Sequence, residues 1–490
     1  MTVADTDNDT DVDGATSQTG TASSKSPGCI SRRGFMGAAV ATAAFTIVPR
    51  QVLGGAEHTP PSEMLNVAVI GTGGQGLSNL RFLLHQSDVR IMAIADPNWE
   101  SDYSAFYYRG TAGRGPALGL VKEAYEPQAK GSFKGCADYA DFREMLEREK
   151  DIDAVLIATP DHVHYAAAMA AIQHGKHVYC EKPMCHSLYE VRKLAETARE
   201  AKVATQLGNQ GHSGDGIRAA CEWIWDGAIG PVREVHAWST TGPEWTTMKE
   251  RPQDTPPVPE GLDWDLWLGP AACRPYHPAY APYNWRGWWD FGTGGIGDMA
   301  CHNLDPAFWA LSLDCPVSVE ASSCDCTDEV TPHASIVHYE FPVRGDMPPV
   351  KVHWYDGGIL PERPDELGPD KKLRDNGILF VGDKGKLMLD GWSRNPRLIP
   401  ESAMEAYTRP PETLPRSEGH HRDWIKACKG DGRASSNFDV AGPLNEAIMM
   451  GIIAIRTGEK LYWDGPAMRC TNVPAANDLI WPVYREGWSL

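Results

Sequence analysis

This 490-residue sequence has no long unbroken apolar run, no excess of basic charge and no paired cysteine or histidine framework. Without an apolar stretch of about 20 residues, the chain is not expected to be an integral membrane protein. Lysine and arginine total 46 against 65 aspartates and glutamates, a formal net charge of −19. A surface of that sign repels phosphate backbones, so nucleic acid is not an expected partner. The twelve cysteines are scattered, and Cys324-x-Cys326 lacks the second Cys or His pair that a structural zinc site requires. Mostly free thiols are expected, and no internal repeat is evident.

The rest is ordinary globular composition, with 42% hydrophobic and 23% charged residues. A chain longer than one core usually serves predicts two domains behind a leader, which we place at residues 1–56. Asp5, Asp7, Asp9, Asp11 and Asp13 alternate with small or polar residues, so the first thirty residues cannot bury apolar surface and are expected to be disordered. Next, Ser31-Arg32-Arg33-Gly34-Phe35-Met36 precedes an Ala-rich stretch from Gly37 to Val48 that is too short to span a bilayer. The segment resembles a twin-arginine export signal, with candidate cleavage near Gly54-Gly55-Ala56, and implies a periplasmic or otherwise extracytoplasmic protein.

Beyond the leader, the apolar run Leu65 to Ile70 leads at once into Gly71-Thr72-Gly73-Gly74-Gln75-Gly76 and a helix-like segment through Leu84. This is a strand, a glycine turn and a helix. Gly71 permits the tight turn, Gly73 lets backbone approach a pyrophosphate, and Gly76 lets the helix pack on the strand. A second β-like run, Val89 to Ala95, ends at Asp96, twenty residues past Gly76, where a ribose-binding acid is expected. An aspartate there accepts from the ribose hydroxyls and repels a 2'-phosphate, so the expected cofactor is NAD rather than NADP. Arg109 and Arg114 in the following loop are the groups that would offset a phosphate, although a solvated loop role is the simpler reading of each.

Two further parallel strands are predicted, Ala154 to Ala158 and His177 to Cys180. The first opens into Thr159-Pro160-Asp161-His162-Val163-His164 and the second into Glu181-Lys182-Pro183. Ser187-Leu188-Tyr189-Glu190 then has the spacing of a helix capping box. Groups just beyond strand carboxyl ends meet the ligand in open parallel sheets, which places Thr159, His164, Glu181 and Lys182 beside the cofactor. Asp161, His162 and His164 have the chemistry of metal ligands, but they sit where the dinucleotide must lie, and no metal is expected.

The glycine turn, Ala158-Thr159-Pro160, Glu181-Lys182-Pro183 and the later Gly294-Gly295-x-x-Asp298-x-x-x-His302 together resemble the glucose-fructose oxidoreductase and inositol dehydrogenase family, Gfo/Idh/MocA. The resemblance implies an α/β fold, with a Rossmann dinucleotide-binding domain at 64–186. A substrate-binding and oligomerisation α/β domain with a large, mostly antiparallel sheet would follow at 187–490. It further implies a homo-oligomer, dimer or tetramer. Lys182 would touch cofactor and substrate hydroxyl, Asp298 would orient, and His302 would act as general acid or base. Oxidising a secondary alcohol needs a hydride acceptor and a group that takes the hydroxyl proton. Asp298 and His302, four apart on a predicted helix, share one face. A lysine base there would need a lowered pKa.

Trp264, Trp267, Tyr276, Tyr280, Tyr283, Trp285, Trp288 and Trp289 crowd one stretch, suited equally to stacking on sugar rings or to filling a second core. Arg286 beside Trp285 resembles a segment that reaches the cofactor in some relatives. From Val317 onward, alternating runs at 317–321, 333–341, 350–355 and 378–389 predict the second sheet, followed by helices at 417–428 and 440–455. The expected function is that of an exported NAD-dependent oxidoreductase acting on a secondary hydroxyl of a small-molecule sugar, cyclitol or glycoside. A redox-neutral NAD-dependent glycosidase is the enzymatic alternative, and a non-catalytic sugar-binding protein the alternative of another class.

Overall fold

The computed structural model describes residue 60 and residues 63–126, 135–242 and 245–488. The expected leader, its Arg32-Arg33 pair and the candidate cleavage site lie outside the described residues. The first sheet holds β1 (Leu65–Ile70), β2 (Val89–Ala95), β3 (Ala137–Tyr139), β4 (Ala154–Ile157), β5 (His177–Cys180) and β6 (Thr205–Leu207). Its order is β3-β2-β1-β4-β5-β6 and every pairing is parallel. Helices α1 (Gly74–Leu84), α2 (Asp161–Gln173) and α3 (Leu188–Ala201) follow β1, β4 and β5. Because helices cover both faces, β4 is buried throughout and reads as an apolar run instead of an alternation. The capping box opens α3: Glu190 N donates to Ser187 Oγ at 3.3 Å and Ser187 N to Glu190 Oε2 at 2.9 Å.

The parallel sheet runs past the boundary expected at 186, since β6 pairs with β5. Thr205-Gln206-Leu207 is too short to carry a periodic signal of its own. The second sheet comprises β7 (Val232–Ser239), β8 (Ser318–Cys324), β9 (Ala334–Phe341), β10 (Val350–Tyr355), β11 (Asn376–Gly382), β12 (Gly385–Asp390), β13 (Arg394–Ile399), β14 (Leu461–Asp464) and β15 (Arg469–Cys470). Its order is β13-β12-β11-β7-β10-β9-β8-β14-β15. Among these pairings only β7 with β10 is parallel. The expected α/β second domain with a large, mostly antiparallel sheet is therefore correct in type, with the central strand β7 missing from the sequence reading.

Three helices link the layers: α4 (Gly294–Asn303), α5 (His420–Cys428) and α6 (Phe438–Thr457). Trp424 and Ile425 of α5 pack into the core that contains Leu65, Val67 and Leu80, so the late chain returns to the first sheet. Helix α6 is the exception to the absence of long apolar runs. Among the described residues it alone has the length and hydropathy to cross a membrane, yet 83% of that stretch is buried inside the protein. It is the central core helix, packed on α3 and β8. Asn445 and Glu446 within it are buried and engaged, Asn445 Oδ1 accepting from Met184 N and Glu446 pairing with Arg192.

Candidate active site

Chain connectivity forces β1, β4 and β5 to end side by side, and their carboxyl ends form the floor of one cleft. Gly71 turns the chain out of β1 at φ +83°, and a Cβ there would lie 2.7 Å from the Ala158 carbonyl group. A Cβ on Gly76 would lie 2.1 Å from the Gly71 oxygen. Helix α1 begins at Gly74 with no side-chain cap and no acidic residue in its first turn. Its positive end faces the cleft without a competing carboxylate, which suits an anionic pyrophosphate.

Asp96 closes this cradle. Its Oδ2 accepts from Thr72 N at 2.6 Å and Thr72 Oγ1 at 3.1 Å, and Oδ1 accepts from Asn98 N at 2.8 Å. Burial pushes its pKa up while the bonds from Thr72 and Asn98 oppose the shift. The carboxylate thus ties the glycine turn to β2 and keeps acceptor capacity toward the cleft. Arg114 is committed to the Asp96 carbonyl at 2.8 Å and to Asp138 at 2.6 Å, and Arg109 to the Ser104 carbonyl at 3.2 Å. Asp96→Ala is therefore expected to weaken NAD binding about tenfold or more, with NADP less affected. Calorimetry with both nucleotides checks this, and unchanged NAD affinity would count against the assignment.

Of the residues singled out from sequence, Gly71, Gly73, Asp96, Thr159, Glu181, Lys182, Arg286 and Asp298 line the same cleft. Gly76, His164 and His302 do not. Gly76 packs beneath the turn. His164 is buried behind the strand ends, its Nδ1 2.6 Å from the Pro183 carbonyl and its Nε2 3.0 Å from that of Thr159. The side chain braces the two loops from behind, which corrects its expected position beside the cofactor. Glu181 Oε1 accepts from Asn79, Gln75 and Gln210 at 2.9, 3.2 and 3.1 Å, so its carboxylate is largely consumed in tying α1 to the loop after β6.

Lys182 Nζ donates to Asp298 Oδ1 at 2.7 Å and to the Asp298 carbonyl at 3.1 Å. Burial disfavours the ammonium, but Asp298 foremost, together with Cys301 and Tyr108, outweighs burial and holds the Lys182 pKa above its ordinary range. The lowered value that a lysine base requires is not what this environment produces. Burial also opposes the charge of Asp298, yet Lys182 and Arg286, whose Nε lies 3.6 Å away, bring its pKa down to about 2. Arg286 lies over Trp285 and Tyr283, its guanidinium carbon 4.1 and 4.6 Å from the ring centres.

His302 follows Asp298 by one turn of α4. Burial first, and the Lys182 cation second, lower its pKa to about 3, so the imidazole is neutral. Its Nδ1 is buried without a hydrogen-bond partner among the described residues. A neutral imidazole beside a fixed ammonium is a proton acceptor next to a proton donor.

The aromatic stretch divides between its two expected uses. Trp288, Tyr280 and Phe291 fill a separate small core, whereas Trp267, Tyr276, Tyr283 and Trp285 also line the cleft. Sequence reading missed Tyr103 and Tyr108 as cleft residues, whereas Asp161, expected where the dinucleotide lies, does line the cleft. The tyrosines sit in an irregular loop with no periodic signal. Asp161 begins α2, accepts from Thr293 Oγ1 at 2.6 Å, and is raised by burial to about 6. Such a carboxyl stabilises the fold fully below its unfolded pKa near 3.8, and that contribution is lost as pH rises through about 6. Asp161→Asn is accordingly expected to stabilise the protein by about 1–3 kcal/mol at pH 8 and by little at pH 4. Denaturant unfolding at the two pH values measures the difference.

The family profile described as "Oxidoreductase family, NAD-binding Rossmann fold" matches residues 65–209, and "Oxidoreductase family, C-terminal alpha/beta domain" matches residues 219–341. The chain carries both domains of the Gfo/Idh/MocA family. Residues 65–209 form an NAD-binding Rossmann domain. The 2,7-anhydro-N-acetylneuraminate hydratase of Mediterraneibacter gnavus is 27% identical over 190 residues, 38% of this chain and 43% of that protein. The 1,5-anhydro-D-fructose reductase of Ensifer adhaerens is 27% identical over 175 residues, 35% of this chain and 41% of that protein. The match thus spans less than half the length of these relatives. The WlbA dehydrogenase of Bordetella pertussis, solved with NADH and UDP-GlcNAcA, shares the fold. It has a TM-score of 0.54 and 16% identity, over 82% of this chain and 99% of that one.

Proposed function

We propose that the protein is an exported NAD-dependent oxidoreductase that oxidises or reduces a secondary hydroxyl of a sugar, cyclitol or glycoside. One observation carries the reading: an ammonium fixed by a buried-side carboxylate, Lys182 on Asp298, lies in the same cleft as the glycine turn and Asp96. NAD, when bound, accepts or returns the hydride of the CH–OH group. The residues supply the rest. Two of the three Lys182 donors are used on Asp298, which leaves one for a substrate hydroxyl oxygen. That bond polarises the O–H, and we assign the proton to the neutral His302, buried one helical turn from Asp298 just behind the cleft lining. Asp298 offsets the positive charge that His302 then acquires.

The tryptophan and tyrosine rings at the cleft wall favour a substrate with an apolar ring face and polar rim, and both curated relatives are named for anhydro sugars. The decisive experiment incubates purified protein with NAD and a panel of sugars, cyclitols and glycosides, following absorbance of NADH and keto products. Net NADH formation with a sugar supports the reading. Turnover without net NADH supports a redox-neutral bond cleavage instead, which the hydratase relative and the scarcity of free NAD outside the cytoplasm favour. Neither result with nucleotide bound would leave a sugar-binding protein. Export rests on Arg32-Arg33: changing both to lysine is expected to retain the protein in the cytoplasm on cell fractionation.

A further inference from the structure

Sheet geometry brings a second group of chemistry-bearing residues together, outside the cleft. In a strand, side chains two apart share a face, so Glu234 and His236 of β7 project together. His353 of the neighbouring β10 is in register with His236, and His338 of β9 is in register with His353. Three imidazoles therefore lie in a row across adjacent strands, with a carboxylate beside them.

We propose that Glu234, His236 and His353 bind a divalent transition-metal ion, with zinc as the representative case. One ligand atom from each of the three lies within 4.8 Å of the others. His353 Nε2 is 3.0 Å and His236 Nε2 3.7 Å from Glu234 Oε1, so both Nε2 atoms face the carboxylate. The opposite ring nitrogens are also held. His236 Nδ1 meets the Tyr355 hydroxyl at 3.0 Å and His353 Nδ1 meets His338 Nδ1 at 2.5 Å. A metal-ligating imidazole ordinarily has its second nitrogen bonded in this way, which fixes ring and tautomer. Two imidazoles and one carboxylate are a recurrent zinc set that keeps a fourth position for water. The two histidine side chains are 18% and 12% exposed and Glu234 is 42% exposed, so the ion has a route in and a solvent ligand. The sequence reading expected no metal, and it considered only Cys324-x-Cys326 and the group Asp161, His162 and His164. The new cluster was invisible because His353 lies 119 residues beyond Glu234 and meets Glu234 and His236 only through strand pairing.

Bound there, the ion joins β7 to β10 at the one parallel pairing in this sheet. Untagged full-length protein, stripped by chelator and desalted, is titrated with Zn²⁺ and with Co²⁺. One equivalent is expected to bind, and cobalt is expected to show visible absorption of a four- or five-coordinate ion. His236→Ala and His353→Ala are each expected to weaken binding about 100-fold or more. Tyr355→Phe, which removes only the second bond of His236, is expected to cost about tenfold. Cys324→Ser with Cys326→Ser is expected to leave binding unchanged. X-ray absorption of the zinc-loaded wild type needs no variant to fold, and is expected to show nitrogen and oxygen ligands at about 2.0–2.1 Å. Sulfur ligands at about 2.3 Å, no binding beyond weak nonspecific uptake, or full binding in folded His236→Ala and His353→Ala proteins would overturn the proposal.

Discussion

Lys182→Ala and His302→Ala are each expected to lower turnover about 100-fold or more while NAD affinity changes only a few-fold. Removing Lys182 leaves the Asp298 carboxylate with Arg286 alone at 3.6 Å and takes away the donor aimed at the substrate oxygen. Removing His302 deletes the neutral acceptor and leaves the ammonium in place. The pH profile separates the two roles. With Lys182 protonated above its ordinary range and His302 neutral above about 3, kcat/KM is expected to be flat from about pH 5 to 9. A lysine acting as base would instead produce a rise near pH 7–8, as a lowered lysine pKa demands. The profile is best recorded in Asp161→Asn, because ionisation of Asp161 near pH 6 within the same cleft would overlay the signal. Near-normal turnover in both alanine variants would refute the assignment.

Gly76→Ala is expected to reduce NAD affinity by more than about 100-fold. A methyl group at this position would meet the Gly71 carbonyl oxygen at 2.1 Å, and that neighbour is backbone, with no flexible end to swing aside. Helix α1 would have to move off β1, carrying the uncapped N–H groups of its first turn away from the pyrophosphate position. Gly119→Ala is the control. It also lies in a helix, but among the described residues beyond its own helix backbone nothing stands within 4 Å of its added Cβ. That change is expected to leave binding intact and to stabilise the helix by about 0.5–1 kcal/mol. Fluorescence titration of NADH on both variants provides the comparison, and tight binding by Gly76→Ala would remove the glycine turn from the cofactor site.

Much of the nucleotide half was legible because its signals are local. Gly71 to Gly76, the interval to Asp96 and the Ser187-Glu190 box each depend on neighbours within one turn or one βαβ unit, where spacing alone dictates geometry. Strand β10 was placed to the residue, and the run predicted at 378–389 folds back between Gly382 and Gly385 into the β11–β12 pair. Strands β6 and β7 escaped. The first has three residues, and in the second the outward residues are histidine and glutamate with Trp238 buried, so its pattern lacks a strong apolar alternation.

The sequence by itself determined which chemistry is present: a glycine turn, an acid at the ribose position, and a lysine, an aspartate and a histidine in two separated motifs. Tertiary structure decided how each is used. It paired Lys182 with Asp298 across 116 residues of chain and thereby held the lysine charged, and it buried His302 and kept it neutral. It also placed His164 behind the cleft floor and set His236 beside His353. A protonation state depends on burial and on the charges within a few ångströms, and those neighbours are supplied by strand order and helix packing, which no local pattern encodes.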